Sequence, residues 1–204
     1  YQAANQIFHN VPPHMPEYTQ AQELRTKLLP YGKSMAESLQ KQQPADLKKM
    51  MAFSLAWKGS DFAKPIEEKC SAYAEKQLSK ILGQRNISTS YLVKFIHFWK
   101  GFDITQKAQD KYDDLAEIEI KKILSRKASP SSKLGYLKQF IQKWKYSTKV
   151  SQAQDEINAL AKTDLDEIRK VSRASSKKLK LKNFIRKYAG TEQVAEAQAL
   201  LDKL

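Results

Sequence analysis

Four short segments of the chain share one pattern and decide its fold: Phe53-Ser-Leu-Ala-Trp57-Lys-Gly59, Phe95-Ile-His-Phe-Trp99-Lys-Gly101, Phe140-Ile-Gln-Lys-Trp144-Lys-Tyr146 and Phe184-Ile-Arg-Lys-Tyr188-Ala-Gly190. Their aromatic anchors, at positions 57, 99, 144 and 188, are 42, 45 and 44 residues apart. Such a nearly constant spacing indicates an internal repeat. Phe stands four positions before every anchor and Met or Leu seven positions before it, which predicts one apolar face of a short helix.

A turn and a second, longer helix are predicted after each anchor. In three copies Gly stands two positions after the anchor, where it can end the first helix in the left-handed conformation. Apolar residues then recur 6, 9, 13, 16, 21 and 24 positions after the anchor, in the third copy as Val150, Ala153, Ile157, Leu160, Leu165 and Ile168. The predicted fold class is therefore all-α, an array of helix-turn-helix repeats with a period of about 44 residues. The anchors are expected to be buried between the helices.

The pattern also suggests how the chain is divided. Residues 1–17 contain three prolines between Pro12 and Pro16, which predicts an extended arm. Residues 18–46 are expected to form an N-terminal helical cap. Its two helices, Tyr18 to Leu29 and Lys33 to Gln43, should be separated by Leu29-Pro30-Tyr31-Gly32. The repeat array occupies 47–204, with copies at 47–88, 89–133 and 134–177 and a partial copy at 178–204 that is expected to act as a cap.

The charge of the chain is strongly positive and unevenly distributed. Its 204 residues include 36 Lys and Arg against 22 Asp and Glu, a net charge of +14. No acidic residue occurs in 76–102, 120–154 or 168–191. If the repeats stack in register, each adds a basic band at the same edge. The predicted basic ridge consists of Lys94, Lys100, Lys121, Lys122, Arg126, Lys127, Lys138, Lys145, Arg173, Lys177, Lys178, Lys180 and Lys182.

Such a ridge favours an anionic partner. The leading hypothesis is a scaffold or adaptor that holds an acidic protein and organises a larger complex, with self-association into rings or filaments also conceivable. The alternative is a module that binds nucleic acid or another polyanion. Against it, no zinc-finger spacing or RNA-recognition signature occurs, and the periodicity of the interleaved aromatics predicts that they are buried. No transmembrane segment is predicted, because no stretch approaches the roughly 18 apolar residues that a span needs.

Candidate catalytic and metal-binding residues are few. His9, His14 and His97 are too scattered for a metal site of known spacing. The single cysteine, Cys70, excludes an internal disulfide and occupies the same apolar position as Tyr112 in the next copy, which predicts a buried side chain. The sequence therefore predicts no catalytic residue, no cofactor or metal site, and a protein that is not an enzyme.

The last copy carries a family resemblance. Residues 181–204, with Phe184, Tyr188, Gly190 and Thr191 followed by Ala195, resemble the tetratricopeptide-like helical hairpins of bacterial cell-envelope proteins. Those hairpins read Phe-x-x-x-Tyr-Pro-Gly-Thr, whereas Ala189 replaces the proline here, and a period near 44 exceeds the roughly 34 residues of a tetratricopeptide unit. The resemblance implies a helical-hairpin class, protein–protein interaction and an extracytoplasmic bacterial location. The residues themselves leave the compartment open.

Overall fold

A computed structural model describes residues 10–42 and 46–204 of the chain. Within these residues the regular structure is entirely helical, which confirms the all-α fold class. The helices that the structure bounds there are α1 (Pro16–Lys41), α2 (Leu47–Ala56), α3 (Lys64–Leu82), α4 (Thr89–Phe98), α5 (Ile104–Ser125), α6 (Pro130–Lys143), α7 (Val150–Arg169), α8 (Ala174–Lys187) and α9 (Gln193–Asp202).

The chain forms two compact units, Tyr1–Ala108 and Gln109–Leu204, with the boundary inside α5. In the first unit α2 packs against α3, α1 contacts both of them, and α4 packs against α3. In the second unit α6 packs against α7, and α8 contacts both α7 and α9. Each short helix with a Phe-x-x-x-aromatic segment thus has a longer helix as its neighbour.

The turn after each anchor has the same backbone hydrogen bonds. The amide of the anchor donates to the carbonyl of the Phe four positions before it, at 2.8–2.9 Å. The amide of the third residue after the anchor donates to the anchor carbonyl, at 2.7 Å in the copy of Trp144 and 3.0 Å in the other three. Gly59, Gly101 and Gly190 have φ of 85°, 95° and 92°. The predicted left-handed conformation is confirmed at these three turns, whereas the third copy forms the turn with Tyr146 at a negative φ.

The apolar face of the short helices forms the core. The Met or Leu seven positions before the anchor and the Phe four positions before it are at most 4% exposed in all four copies. Trp99, Trp144 and Tyr188 are 2% exposed or less, so their predicted burial is confirmed. Trp57 is only half-buried. It packs edge-on against Phe62, with ring centroids 5.2 Å apart.

The prediction for the long helices was wrong in every complete copy at one position, and Leu204 in the last copy is also exposed, at 47%. The residue 16 positions after the anchor was expected in the core, but Tyr73 is 50% exposed and Leu160 is half-buried. The buried position is one residue later and holds alanine in all three complete copies, Ala74, Ala116 and Ala161, each 0% exposed. Because successive side chains on a helix point about 100° apart, the shift of one residue moves the inward face onto alanine.

In its described part, residues 18–42 and 46, the N-terminal cap contains one helix rather than the two that were predicted; the predicted end at Gln43 lies outside the described residues. Helix α1 is continuous from Pro16 to Lys41, with Pro30 inside it. Gly32 is buried in this helix, and a Cβ atom there would lie 2.7 Å from the Trp57 ring and 2.8 Å from Phe62. The glycine therefore does not break the helix but lets it approach the aromatic pair. Packing on that pair offsets the roughly 3 kcal/mol that an interior proline costs a helix.

The predicted extended arm is not observed where the structure describes it. Residues 1–9, which include His9, lie outside the described residues. Beyond them the chain turns, because the amide of Met15 donates to the carbonyl of Pro12 at 3.0 Å. Pro16 then begins α1, a position in the first turn where a missing N–H costs no hydrogen bond.

Candidate interaction surface

Helix α8 carries the densest group of basic side chains in the second unit. Its sequence, ASSKKLKLKNFIRK, contains six Lys or Arg and no acidic residue. Leu181 and Phe184 are buried and fix the inward face of the helix. Lys178, Lys180 and Lys182 lie on the remaining surface and are exposed. The apolar spacing of α8 therefore determines which of its cations face solvent.

Other cations of the second unit are neutralised within it. Their partners are carboxylates on the long helices, and the pairs join neighbouring helices. The Nζ atom of Lys133 is 2.5 Å from Glu156, that of Lys149 is 2.9 Å from Glu117 and that of Lys187 is 2.6 Å from Asp164. Lys143 pairs with Glu119, and Arg169 with Glu196. None of the five basic residues belongs to the predicted ridge.

The ridge residues themselves are mostly exposed and without such partners. Twelve of the thirteen are exposed, and Lys177 is half-buried. Lys121 pairs with Glu117 at 2.6 Å. Lys138 and Lys177 donate to the backbone carbonyls of Lys187 and Arg169, at 2.7 and 3.0 Å. Arg126 and Lys145 lie 4.8 and 4.7 Å from the ring centroids of Tyr136 and Tyr146.

Eight ridge side chains make no ion pair, hydrogen bond or contact with an aromatic ring within residues 10–42 and 46–204. They are Lys94, Lys100, Lys122, Lys127, Arg173, Lys178, Lys180 and Lys182. The first two belong to the first unit and the other six to the second. These cations, unlike the paired ones, are available to an external anion.

Most acidic residues of the second unit have a hydrogen-bond or ion-pair partner within it. Hydrogen bonds from Lys121 and Lys149 lower the pKa of Glu117 to about 2. The Oδ1 atom of Asp113 accepts from the hydroxyl of Ser147 at 2.5 Å and from the amide of Thr148 at 3.1 Å. Pairing of the acids inside the unit leaves the positive surplus on the surface.

His97 and Cys70 are the histidine and the cysteine of the repeat array, residues of metal-binding and nucleophilic type. His97 is exposed on α4, with its Nδ1 atom 2.8 Å from the carbonyl oxygen of Val93. Cys70 is fully buried, and burial raises the pKa of its thiol. In the part of the chain that the structure describes, no group of three or more His, Cys, Asp or Glu is placed to hold a metal ion.

The sequence reasoning missed one recurring polar contact between successive hairpins. The residue 20 positions after an anchor accepts a hydrogen bond from the next anchor or from the residue before it. Gln77 accepts from Nε1 of Trp99 at 2.7 Å, and Asp164 accepts from the Tyr188 hydroxyl at 2.7 Å. Glu119 accepts from Lys143. The sequence did contain a signal for this contact, because the residue 20 positions after each of the first three anchors is polar.

Comparison with protein-family models, with curated proteins and with solved structures found no significant match. Within the described residues, no helix combines the length and the apolar character that crossing a bilayer requires.

Proposed function

We propose that this chain is a non-catalytic scaffold or adaptor of helical hairpins that holds an acidic protein partner through exposed basic side chains. One observation carries the proposal: on α8, Lys178, Lys180 and Lys182 are exposed and have no partner among the described residues, while Lys187 on the same helix is paired with Asp164. Keeping like charges together and unpaired costs stability, and an anionic partner offsets that cost.

A protein partner is favoured over single-stranded nucleic acid by the burial of the ridge aromatics. Recognition of single strands combines a basic track with aromatic rings on which bases stack. Phe95, Trp99, Phe140, Trp144 and Phe184 alternate with the basic residues in the sequence, but each is at most 3% exposed. Their ring faces are occupied by the core. The exposed apolar neighbour of the α8 lysines is instead Leu179, which is 62% exposed and suits a protein surface.

The similarity of residues 181–204 to tetratricopeptide-like hairpins points the same way. Hairpins of that class act through protein–protein contacts. The proposal is supported by the packing of α8 against α9, with Tyr188 and Gly190 at the turn between them. An extracytoplasmic location and self-association remain part of the same proposal.

The test is native purification at low salt, followed by light-scattering mass and mass spectrometry of what co-elutes, with and without nuclease. The expected result is a stoichiometric acidic protein that survives nuclease and is released at moderate ionic strength. Lys178→Glu with Lys182→Glu should abolish its retention. A matched double reversal of exposed lysines elsewhere in the unit, Lys162→Glu with Lys203→Glu, should retain it. A nuclease-sensitive companion or a lone chain would contradict the proposal.

A further inference from the structure

A groove in the first unit lies between the end of α3 and helix α4. Its floor is formed by Ile81 and Phe95, which are 8% and 1% exposed, and its volume is about 410 Å³. Two large apolar side chains stand at its sides, Tyr91 at 49% and Phe98 at 42% exposure. The groove thus presents aromatic surface to solvent, although Phe95 on the same helix is buried.

The same positions line a groove in the second unit, between α5 and α6. Each of its eight lining residues occupies the aligned position of a residue in the first groove. The pairs are Gln77 and Glu119, Lys80 and Lys122, Ile81 and Ile123, Gln84 and Arg126, Tyr91 and Tyr136, Lys94 and Gln139, Phe95 and Phe140, and Phe98 and Lys143. The structure therefore contains a natural comparison between two copies of one groove.

The second groove is bridged by its own side chains. Glu119 and Lys143 form an ion pair across it, and the guanidinium of Arg126 lies 4.8 Å from the centroid of the Tyr136 ring. Its volume is smaller, about 320 Å³. At the third junction the same bridge recurs as Asp164 and Lys187, 2.6 Å apart. An ion pair between these two positions is thus shared by both junctions of the second unit.

The first groove lacks this bridge because both of its residues are changed. Gln77 replaces the acid and accepts from Nε1 of Trp99 instead, and Phe98 replaces the lysine. Lys80 and Lys94 remain at the rim, exposed and without an ion pair among the described residues. No carboxylate lines the groove within the described part of the chain. The result is an open apolar cleft between two free cations.

We propose that this groove binds an acidic peptide segment of a partner protein, which inserts one large apolar side chain between Tyr91 and Phe98 and places carboxylates on Lys80 and Lys94. This inference rests on the proposed function and assigns a specific site to the acidic partner. The free lysines supply charge complementarity, and burial of a Leu or Phe side chain supplies hydrophobic stabilisation.

A nucleobase is a poorer occupant of this floor. Its polar edges would lose water against Ile81 and Phe95, and burial of a polar group without a hydrogen bond is unfavourable. A Leu or Phe side chain has no polar atoms to satisfy there. The chemistry of the floor therefore selects an apolar side chain, while the rim selects its acidic neighbours.

The test is selection of a random 16-residue peptide library displayed on phage, followed by fluorescence anisotropy with the enriched peptides. We expect acidic peptides with a Leu, Phe or Trp beside Asp or Glu. Gln77→Glu with Phe98→Lys should rebuild the bridge of the other junctions and weaken binding at least tenfold, and the carboxylate introduced at position 77 can still accept from Trp99. Lys80→Glu with Lys94→Glu should do the same without altering the groove floor.

Two controls make the outcome decisive. Circular dichroism shows whether each variant is folded, and Lys162→Glu with Lys203→Glu, exposed lysines in the other unit, should leave peptide affinity unchanged. Enrichment of no acidic peptide, or a peptide affinity of both groove variants equal to that of the parent chain, would overturn the groove proposal even if the α8 reversal still releases a native partner. Displacement of the peptides by oligothymidylate, with the same loss in the groove variants, would overturn it in favour of a nucleic-acid site.

Discussion

The turn after α8 allows a sharp test of how the repeats end their short helices. Gly190 has a φ of 92°, and a Cβ atom built on it meets no atom within 4 Å. Replacement by alanine therefore adds no clash, and its whole cost is conformational. For a residue with a Cβ atom the left-handed region costs about 1–2 kcal/mol. We expect Gly190→Ala to lower the free energy of unfolding by that amount.

The second unit supplies a matched control with the opposite sign. Gly135 lies inside α6, and a Cβ atom there also meets nothing within 4 Å. In a helix interior alanine is about 1 kcal/mol more favourable than glycine. Gly135→Ala should therefore raise the free energy of unfolding, and the two variants should differ by roughly 2–3 kcal/mol. Contacts cannot explain the difference, because neither new methyl group touches a neighbour.

The measurement is urea-induced unfolding followed by far-ultraviolet circular dichroism, with both variants compared to the parent chain at one pH and salt concentration. The slope of free energy against urea should stay the same, so that midpoints report stability. If Gly190→Ala were as stable as the parent chain or more stable, the claim that the left-handed turn requires glycine at position 190 would be refuted.

Three further predictions follow from packing and electrostatics. Ala161→Leu should destabilise the fold by about 1–3 kcal/mol through overpacking, while Ala159→Leu, exposed on the same helix, should be nearly neutral in urea unfolding. Cys70 should react with Ellman's reagent only as the protein unfolds, since its thiol is buried and its pKa is raised; fast labelling of the native chain would contradict this. The depressed pKa of Glu117, about 2 against an ordinary 4.5, means that its stabilising contribution is present above pH 4.5 and is lost as the pH falls to about 2. Lys149→Gln should raise this pKa in an NMR titration, and an unchanged value would show that Lys149 is not a partner.

Much of the fold could be predicted because the repeat imposes the same physical demand several times. A large aromatic residue with Phe four positions earlier has to be buried, and three of the four anchors are. Trp57 is the exception, because its neighbour is α1 and not another repeat helix. The left-handed conformation of the turn glycines could be predicted equally well, because few residues other than glycine adopt a positive φ.

The failures have physical causes that local patterns do not contain. Pro30 and Gly32 are helix breakers by propensity, yet the close approach of α1 to Trp57 and Phe62 keeps the helix continuous. Tertiary packing decided the outcome there. In the long helices, Leu160 was predicted to be the core residue because it is larger and more hydrophobic than its neighbour Ala161, but Ala161 is the buried one. Where helices pack closely, the small side chain is the one that faces inward.

The candidate surface was predictable only in part, for a related reason. Charge counts located acid-free stretches, but they could not separate Lys187, which is paired across helices, from Lys182, which is not. That distinction depends on what stands 20 positions after the preceding anchor, a long-range relation between two helices. Once the position is aligned, an acid there accompanies a lysine before the next anchor in two junctions.

The exception at Gln77 and Phe98 therefore carries information that neither residue carries alone. A change of the acid alone would leave an unpaired lysine, and a change of the lysine alone would leave an unpaired acid. At the Glu119–Lys143 junction the two side chains are 34% and 48% exposed, so either change alone would cost little. At this junction both positions differ from the other two. Gln77 and Phe98 stand in place of the acid and the lysine, so the ion pair is absent, and Phe98 is 42% exposed to water. Exposure of that aromatic surface opposes stability in the isolated chain. Among the described junctions, the groove is open where both bridging residues differ, and this is where we propose that a partner peptide covers the exposed aromatic surface.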